Sequence, residues 1–512
     1  MRPLEVLLAA ADLVAFLVLV LPLPGGASWL RQAAPTALLA MVAQLLVEGP
    51  RWQLVPAYAL AGLLFLVWLP RSGIPAGRPR QPRRSGRLAA GLGVASGALA
   101  LAVAVALPTL LPVFRFPQAT GPHAIGTLTY HWVDGGRPEV FTADPDDRRE
   151  LMVQPWYPAK PDPSAPHAPW VQDTDALSAD LAGVLHLPGF TFGHLRYVTS
   201  NAIPAAPVAD DQPSYPVLLF LEGSTGFRQM NTFQAQELVS HGYIVAAVDQ
   251  PYTAGYVVYP DGRQANGLPR DQLEALVRQS YRPVQAAPTL NGRAFADGIV
   301  PYLAEDASFT LDRLAALNRA DPNGILARRL DLRRAGMFGV SLGGIVGGEA
   351  CRLEPRLRAC LVLDAPMPTH VARAGLPQPA MWITRDADTM RLERRRAGGW
   401  SETDIREHLT TMRATFERLP GDGYYVQVPG MFHINLTDIP LLSPLASRLG
   451  LSGPIGVQRA HRIVNAYSLA FFDRHLKGRP AALLDGPAAQ YPDVRFETRR
   501  PRSAHPGDPD AN

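Results

Sequence analysis

Cysteine is nearly missing from this chain of 512 residues: there are two, Cys351 and Cys360. So few exclude a disulfide framework and any cysteine-based metal site. They lie nine positions apart, one late in a helical stretch and one entering a strand. A single bridge and two buried thiols both fit that spacing, and the choice stays open. Acid is missing from residues 71–87, which hold six Arg. Outside that stretch 43 basic residues face 45 acidic ones, so the formal charge of +4 is a local feature. A nucleic-acid partner is excluded on that balance. An internal repeat is lacking as well, and without paired broken helices a transporter is disfavoured. A cleavable signal peptide fits poorly, because only Arg2 precedes the first apolar run and further runs follow it.

What the chain does have is apolar length at its amino-terminal end. The runs 4–22, 33–47, 52–69 and 88–113 predict a transmembrane region over residues 1–115. The first, third and fourth are long enough to cross roughly 30 Å of hydrocarbon, and the second is marginal. Trp52 and Trp68 flank the third run near headgroup level. Asp12, at a cost of about 2.5–3.5 kcal/mol at mid-membrane, is expected to face other helices. Arg71, Arg78, Arg80, Arg83, Arg84 and Arg87 should stay in the cytoplasm. The fourth helix then runs outward, which predicts a multi-pass protein of the cell membrane with everything after residue 115 on the exoplasmic side.

Beyond residue 115 the pattern changes. An antiparallel pair is expected over 124–158, followed by buried apolar strands that alternate with helices to residue 495. That is an α/β domain with a mostly parallel sheet covered on both faces. Residues 160–213, rich in Pro and Ala, read as an insertion or cap, and 496–512, rich in Arg, Pro and Asp, as a disordered tail.

One strand of this series ends in Gly339-Val340-Ser341-Leu342-Gly343, and a helical pattern of small residues follows at once. A sharp strand-to-helix turn lifts a serine hydroxyl above the sheet edge, so Ser341 is the candidate nucleophile. The amide of Leu342, at the helix start, would face an oxyanion. A serine needs a base, and the base needs a carboxylate to orient it. His433 is the candidate base because it follows the strand Tyr424–Val428 closely; His408, His461 and His475 fall on helices expected at the surface. For the acid, Asp364 ends one strand, while Asp386 and Asp388 end the next. Spacing alone does not choose between these positions.

A resemblance chooses. Gly339–Gly344, Leu361-Val362-Leu363-Asp364-Ala365 and His433-Ile434-Asn435-Leu436-Thr437-Asp438 resemble the plasma-type platelet-activating-factor acetylhydrolase family. So do Gly223-Ser224-Thr225-Gly226-Phe227-Arg228, Ser240-His241-Gly242-Tyr243 and Ala470–Gly478. The resemblance implies an α/β-hydrolase fold over about 124–480, Asp364 as the acid and the Ser224 amide as the second oxyanion donor. It also implies a serine ester hydrolase, without metal or other cofactor, acting on short-chain or oxidised acyl esters of phospholipid-like substrates. The bacterial relatives are broader esterases, so a general carboxylesterase or a polyester or dienelactone-type hydrolase is the alternative. A non-catalytic scaffold is the third reading, and the intact set Ser341, Asp364, His433 weighs against it. Glu222 departs from the family, which usually has His or a small polar residue there. The secreted members have no counterpart of the four apolar runs.

Overall fold

The computed structural model describes residues 1–21, 32–72 and 84–500. Arg78, Arg80 and Arg83 of the basic loop, and 501–512 of the expected tail, lie outside the described residues. The chain divides into two compact units: Met1–Phe114 with Leu181–Val198 and Leu442–Leu445, and the remainder.

The first unit is built from α1 (Pro3–Val20), α2 (Ala33–Val47), α3 (Val55–Ser72) and α4 (Arg84–Leu110). Three stretches, Pro3–Val20, Trp52–Pro70 and Gly91–Leu110, are long and apolar enough to cross a membrane, and Ala33–Val47 is shorter. Large side chains such as Leu39, Leu46, Leu66, Leu92 and Leu99 point outward, while Ala15, Ala37, Ala57, Ala61 and Ala104 are buried. Leu8, Leu60 and Leu64 are buried beside these alanines, and small residues at such contacts let helix backbones approach closely. Asp12 is buried, and among the described residues its carboxylate has no hydrogen-bond partner. At one end Glu5 is held by Arg2 at 2.8 Å and Arg51 at 2.6 Å, and Arg51 also donates to the Leu111 carbonyl. The inserted segment 181–198 packs on the α2–α3 connection: Trp52 Nε1 donates to the Thr191 carbonyl, Gln53 Nε2 meets His194 Nδ1, and Tyr197 Oη donates to the Pro50 carbonyl.

The second unit is organised on one sheet of 11 strands. They are β1 (Ala124–Thr127), β2 (Tyr130–Pro138), β3 (Arg148–Ala159), β4 (Ala202–Pro204), β5 (Tyr215–Leu221), β6 (Ile244–Asp249), β7 (Leu330–Val340), β8 (Leu357–Leu363), β9 (Ala380–Thr384), β10 (Gly423–Gln427) and β11 (Arg495–Arg499). The order is β11-β10-β9-β8-β7-β5-β6-β3-β1-β4, with β2 beside β3. From β6 to β10 every pairing is parallel, and β3 and β11 join antiparallel at either side. The central strands read as unbroken apolar runs because both faces are covered. Along the chain the helices continue as α5 (Thr174–Val184), α6 (Thr232–Ser240), α7 (Arg270–Tyr281), α8 (Val300–Arg319), α9 (Leu342–Leu353), α10 (Thr369–Ala374), α11 (Ala387–Ala397), α12 (Glu402–Glu417) and α13 (Val457–Lys477). Val217, Leu219 and Leu221 of β5 join one core with α8 and α9. On the opposite face Phe220 packs on Phe338, and Phe338 on Phe472 of α13 (Val457–Lys477).

Two expectations need correction. Residues 496–499 are part of strand β11 instead of a disordered tail: Phe496 stacks on Tyr467 at 5.8 Å, and Glu497 takes a two-pronged ion pair from Arg413. The helical histidines are not at the surface either, since His408 and His461 are both buried. Cys351 of α9 and Cys360 of β8 are joined as a disulfide.

Candidate active site

Ser341 stands between β7 and α9 with φ 56° and ψ −120°, a left-handed conformation that is costly for a residue with a Cβ. Its amide donates to the Leu363 carbonyl, and its carbonyl accepts from Gly344 and Ile345. The two flanking glycines make the turn possible. A Cβ on Gly339 would lie 2.2 Å from the Gly343 carbonyl oxygen, and one on Gly343 would lie 2.1 Å from that of Leu221. No other residue fits either position.

Across from Ser341 lies the loop that leaves β5. A Cβ on Gly223 would sit 3.2 Å from the Ser341 Cβ and 3.8 Å from its Oγ, so this backbone closes over the serine. The loop is braced by Arg228, which pairs with buried Asp249, and by the Thr225 amide on the Thr253 carbonyl. Among the described residues the amides of Ser224 and Leu342 have no protein acceptor. Glu222 beneath the loop is buried; its Oε1 accepts from the Gln250 amide, while Oε2 has no partner among the described residues. Burial, with Asp249 nearby, pushes its carboxyl well above the usual range.

Asp364 follows β8 at φ 50° and is fully buried. Oδ2 accepts from His433 Nδ1 at 2.6 Å and from Arg385 Nε at 2.7 Å. Oδ1 accepts from Thr384 Oγ1 at 2.6 Å, His408 Nε2 at 3.2 Å and the Arg385 amide at 3.3 Å. Burial would raise this carboxyl, but Arg385 and the two histidines hold it well below the usual carboxylate range. A carboxylate only accepts, so both imidazole nitrogens facing it carry hydrogen. His433 Nε2 is therefore left with a free lone pair. No hydrogen bond joins it to the Ser341 hydroxyl among the described residues, a looseness common in sites without substrate.

His433 is seated by its own backbone. It opens a short helical turn, His433–Leu436, and its amide faces the Glu393 carboxylate, which pairs in turn with Arg385. Asn435 Oδ1 accepts from the amides of Phe432 and Gly453, and Asp438 accepts from those of Thr232 and Phe233 at the start of α6 (Thr232–Ser240). The later residues of the His433–Asp438 motif thus anchor the loop. Asp386 is the N-cap of α11 (Ala387–Ala397), accepting from the Thr389 amide at 2.7 Å, and exposed Asp388 pairs with Arg391. Among the described residues neither is bonded to a histidine.

The structure thus brings Asp364 to His433 and places the Gly223–Ser224 loop over Ser341. It also adds four residues that sequence reading missed: His408, Arg385, Glu393 and Trp400. The ring of Trp400 lies 5.2 Å from that of His408 and 5.8 Å from that of His433, with the Arg385 guanidinium 5.0 Å away. A signal for His408 was present. Ile405, His408 and Met412 share one face of α12 (Glu402–Glu417) at helical spacing, and all three are buried. No group of His, Cys, Asp and Glu among the described residues is disposed to hold a metal.

The family model described as platelet-activating factor acetylhydrolase, isoform II, matches residues 110–266. That stretch includes the Gly223–Ser224 loop and stops short of Ser341. The chain is 23% identical over 385 residues to the platelet-activating factor acetylhydrolase of Gallus gallus, covering 71% of this chain and 84% of that protein. It is 23% identical over 415 residues to a probable 1-alkyl-2-acetylglycerophosphocholine esterase of Arthroderma benhamiae, covering 75% and 94%. A solved ferulic acid esterase from Streptomyces cinnamoneus is similar at 28% identity and a TM-score of 0.57, over 75% of this chain and 99% of that one. The fold is that of the α/β hydrolases.

Proposed function

Because the chain belongs to the platelet-activating factor acetylhydrolase family and is a carboxylic ester hydrolase, we propose that it cleaves short-chain or oxidised acyl esters of phospholipid-like substrates through an acyl-enzyme on Ser341. The observation that carries this reading is the left-handed turn at Ser341, faced by the Gly223–Ser224 backbone, together with the closed Asp364–His433 pair. Ser341 Oγ attacks the ester carbonyl carbon as His433 Nε2 takes its proton. Asp364 holds the Nδ1–H tautomer and stabilises the imidazolium that forms. The Leu342 and Ser224 amides receive the developing oxyanion, each such donor being worth about 3 kcal/mol. His433 then protonates the leaving alcohol. Water, activated by the same imidazole, releases the acid from Ser341.

The domain reading extends this proposal. Residues 1–115 anchor the enzyme in the cell membrane, and residues 116–495 carry the chemistry on the exoplasmic side. The basic loop 71–87 and the Cys351–Cys360 bridge, which suits an oxidising compartment, support that side. A second reading, a general carboxylesterase without lipid preference, is favoured by the similarity to a ferulic acid esterase.

A fluorophosphonate probe should label the purified protein once, at Ser341. Labelling of Ser341→Ala at the wild-type level would assign the nucleophile elsewhere. p-Nitrophenyl esters from acetyl to palmitoyl, assayed beside an oxidised phosphatidylcholine, separate the two substrate readings.

A further inference from the structure

Asp364 is held by more donors than an orienting carboxylate requires, and one of them is a second histidine. We propose that His408 is a positioning residue for the ester-hydrolase reaction: its Nε2–H fixes the plane of the Asp364 carboxylate and leaves Oδ2 aimed at His433. This rests on the reading of Asp364 and His433 as acid and base.

The geometry divides the labour between the two oxygens. Oδ1 is occupied by His408 Nε2 and Thr384 Oγ1, while Oδ2 serves His433 and Arg385. A carboxylate gripped on one oxygen by a donor from α12 cannot swing about its last bond, so His433 keeps one orientation. His408 is itself fixed. Its helix begins at Ser401, whose hydroxyl accepts from the Asp404 amide, and Trp400 just before that cap packs edge-on against both imidazoles.

His408 is placed to donate and not to exchange protons with substrate. Among the described residues its Nδ1 is buried without a partner, and the residue is 1% exposed, whereas the His433 side chain is 22% exposed. A second proton on Nδ1 would find no acceptor. The charged and titratable groups facing His408 are Asp364, Arg385 and His433. Burial, helped by the Arg385 charge, outweighs the pull of Asp364 and pushes the ring below the usual histidine range.

Three substitutions test this in the full-length protein, with kcat, KM and pH profiles taken on p-nitrophenyl acetate and Ser341→Ala run alongside. The glutamine amide reaches the position of an imidazole Nε2, and the asparagine amide falls short of it. His408→Gln should keep kcat within about threefold of wild type. His408→Asn and His408→Leu should lose about ten- to a hundredfold in kcat with KM unchanged. The acidic limb of the His408→Gln profile should stay where the wild-type limb lies, since His408 donates to Asp364 from a buried position and exchanges no proton with substrate. Equal losses in His408→Gln and His408→Asn, no loss in either, or a displaced acidic limb in His408→Gln would each overturn the proposal. If His408→Leu does not fold, the comparison of Gln with Asn still decides. Turnover retained by Ser341→Ala would instead bring down the catalytic reading beneath it.

Discussion

As the proposed acid, Asp364 has to be ionised while fully buried, and the side chains around it favour that form. Arg385 supplies the compensating charge, Thr384 and His408 supply neutral donors, and the Asp364 carboxyl is held well below its ordinary range. A depressed carboxylate contributes stability that is complete above its unfolded value of about 3.9 and is lost only as pH falls through the lower folded value. Loss of activity between pH 4 and 7 should therefore not come from Asp364. Asp364→Asn should lower kcat by roughly 10⁴, because an amide can present the wrong partner to His433 Nδ1. Asp386→Ala should leave kcat near wild type and cost about 1 kcal/mol of stability through the lost cap of α11, read by denaturant titration. The reverse ranking would move the acid to Asp386. Chain order and strand-end position single out Ser341 and His433 in the sequence as candidates, whereas the proposed role of Asp364 needs the family resemblance to rank it above Asp386. Arg385 and Glu393 left no such trace: each reads as an ordinary charged residue until β9 and α11 bring them beside His433.

At the scale of elements, helices are tied to their neighbours at two points that can be tested separately. The Cys351–Cys360 bridge fastens the helix after Ser341 to strand β8. A loop that short should contribute about 2.5 kcal/mol. Replacing both cysteines with Ala should lower the denaturant midpoint accordingly, and dithiothreitol should destabilise only the wild type. The second tie is His461 of α13, stacked on Phe233 of α6 at 3.7 Å and bonded through Nε2 to the Thr437 carbonyl. Burial pushes its pKa down to about 4. A buried neutral histidine resists the proton that the unfolded chain accepts, so its contribution is complete above about pH 6.5 and is lost as pH falls toward 4. His461→Gln keeps a donor for Thr437 without titrating. Wild type should therefore lose up to ~3 kcal/mol relative to it across that window; an unchanged difference would mean that His461 is not buried neutral. The order of strands and helices was legible because continuous apolar runs alternate with amphipathic ones. Strand β11 was not, because its pairing rests on one aromatic and one ion pair inside a segment whose composition reads as disorder.

For the molecule as a whole, the proposed membrane anchoring and its orientation can be tested directly. Proteinase added to spheroplasts should digest the hydrolase unit and spare the loop 71–87; protection of that unit until lysis would reverse the assignment. The division into units has a practical consequence too. The chain crosses from one unit to the other more than once, since Leu181–Val198 lies with the amino-terminal helices although it is inserted between β3 and β4. A soluble expression fragment begun at residue 115 would therefore carry this segment but lose the surface it binds. Gln53, Trp52 and the Pro50 carbonyl would be gone, and His194, Thr191 and Tyr197 would be left without them. Val184, Leu185, Leu187 and Phe190, already exposed, would be joined by newly bared neighbours. Such a fragment should stay monomeric only in detergent, and a useful truncation would replace 181–198 with a short polar linker as well as remove the helices.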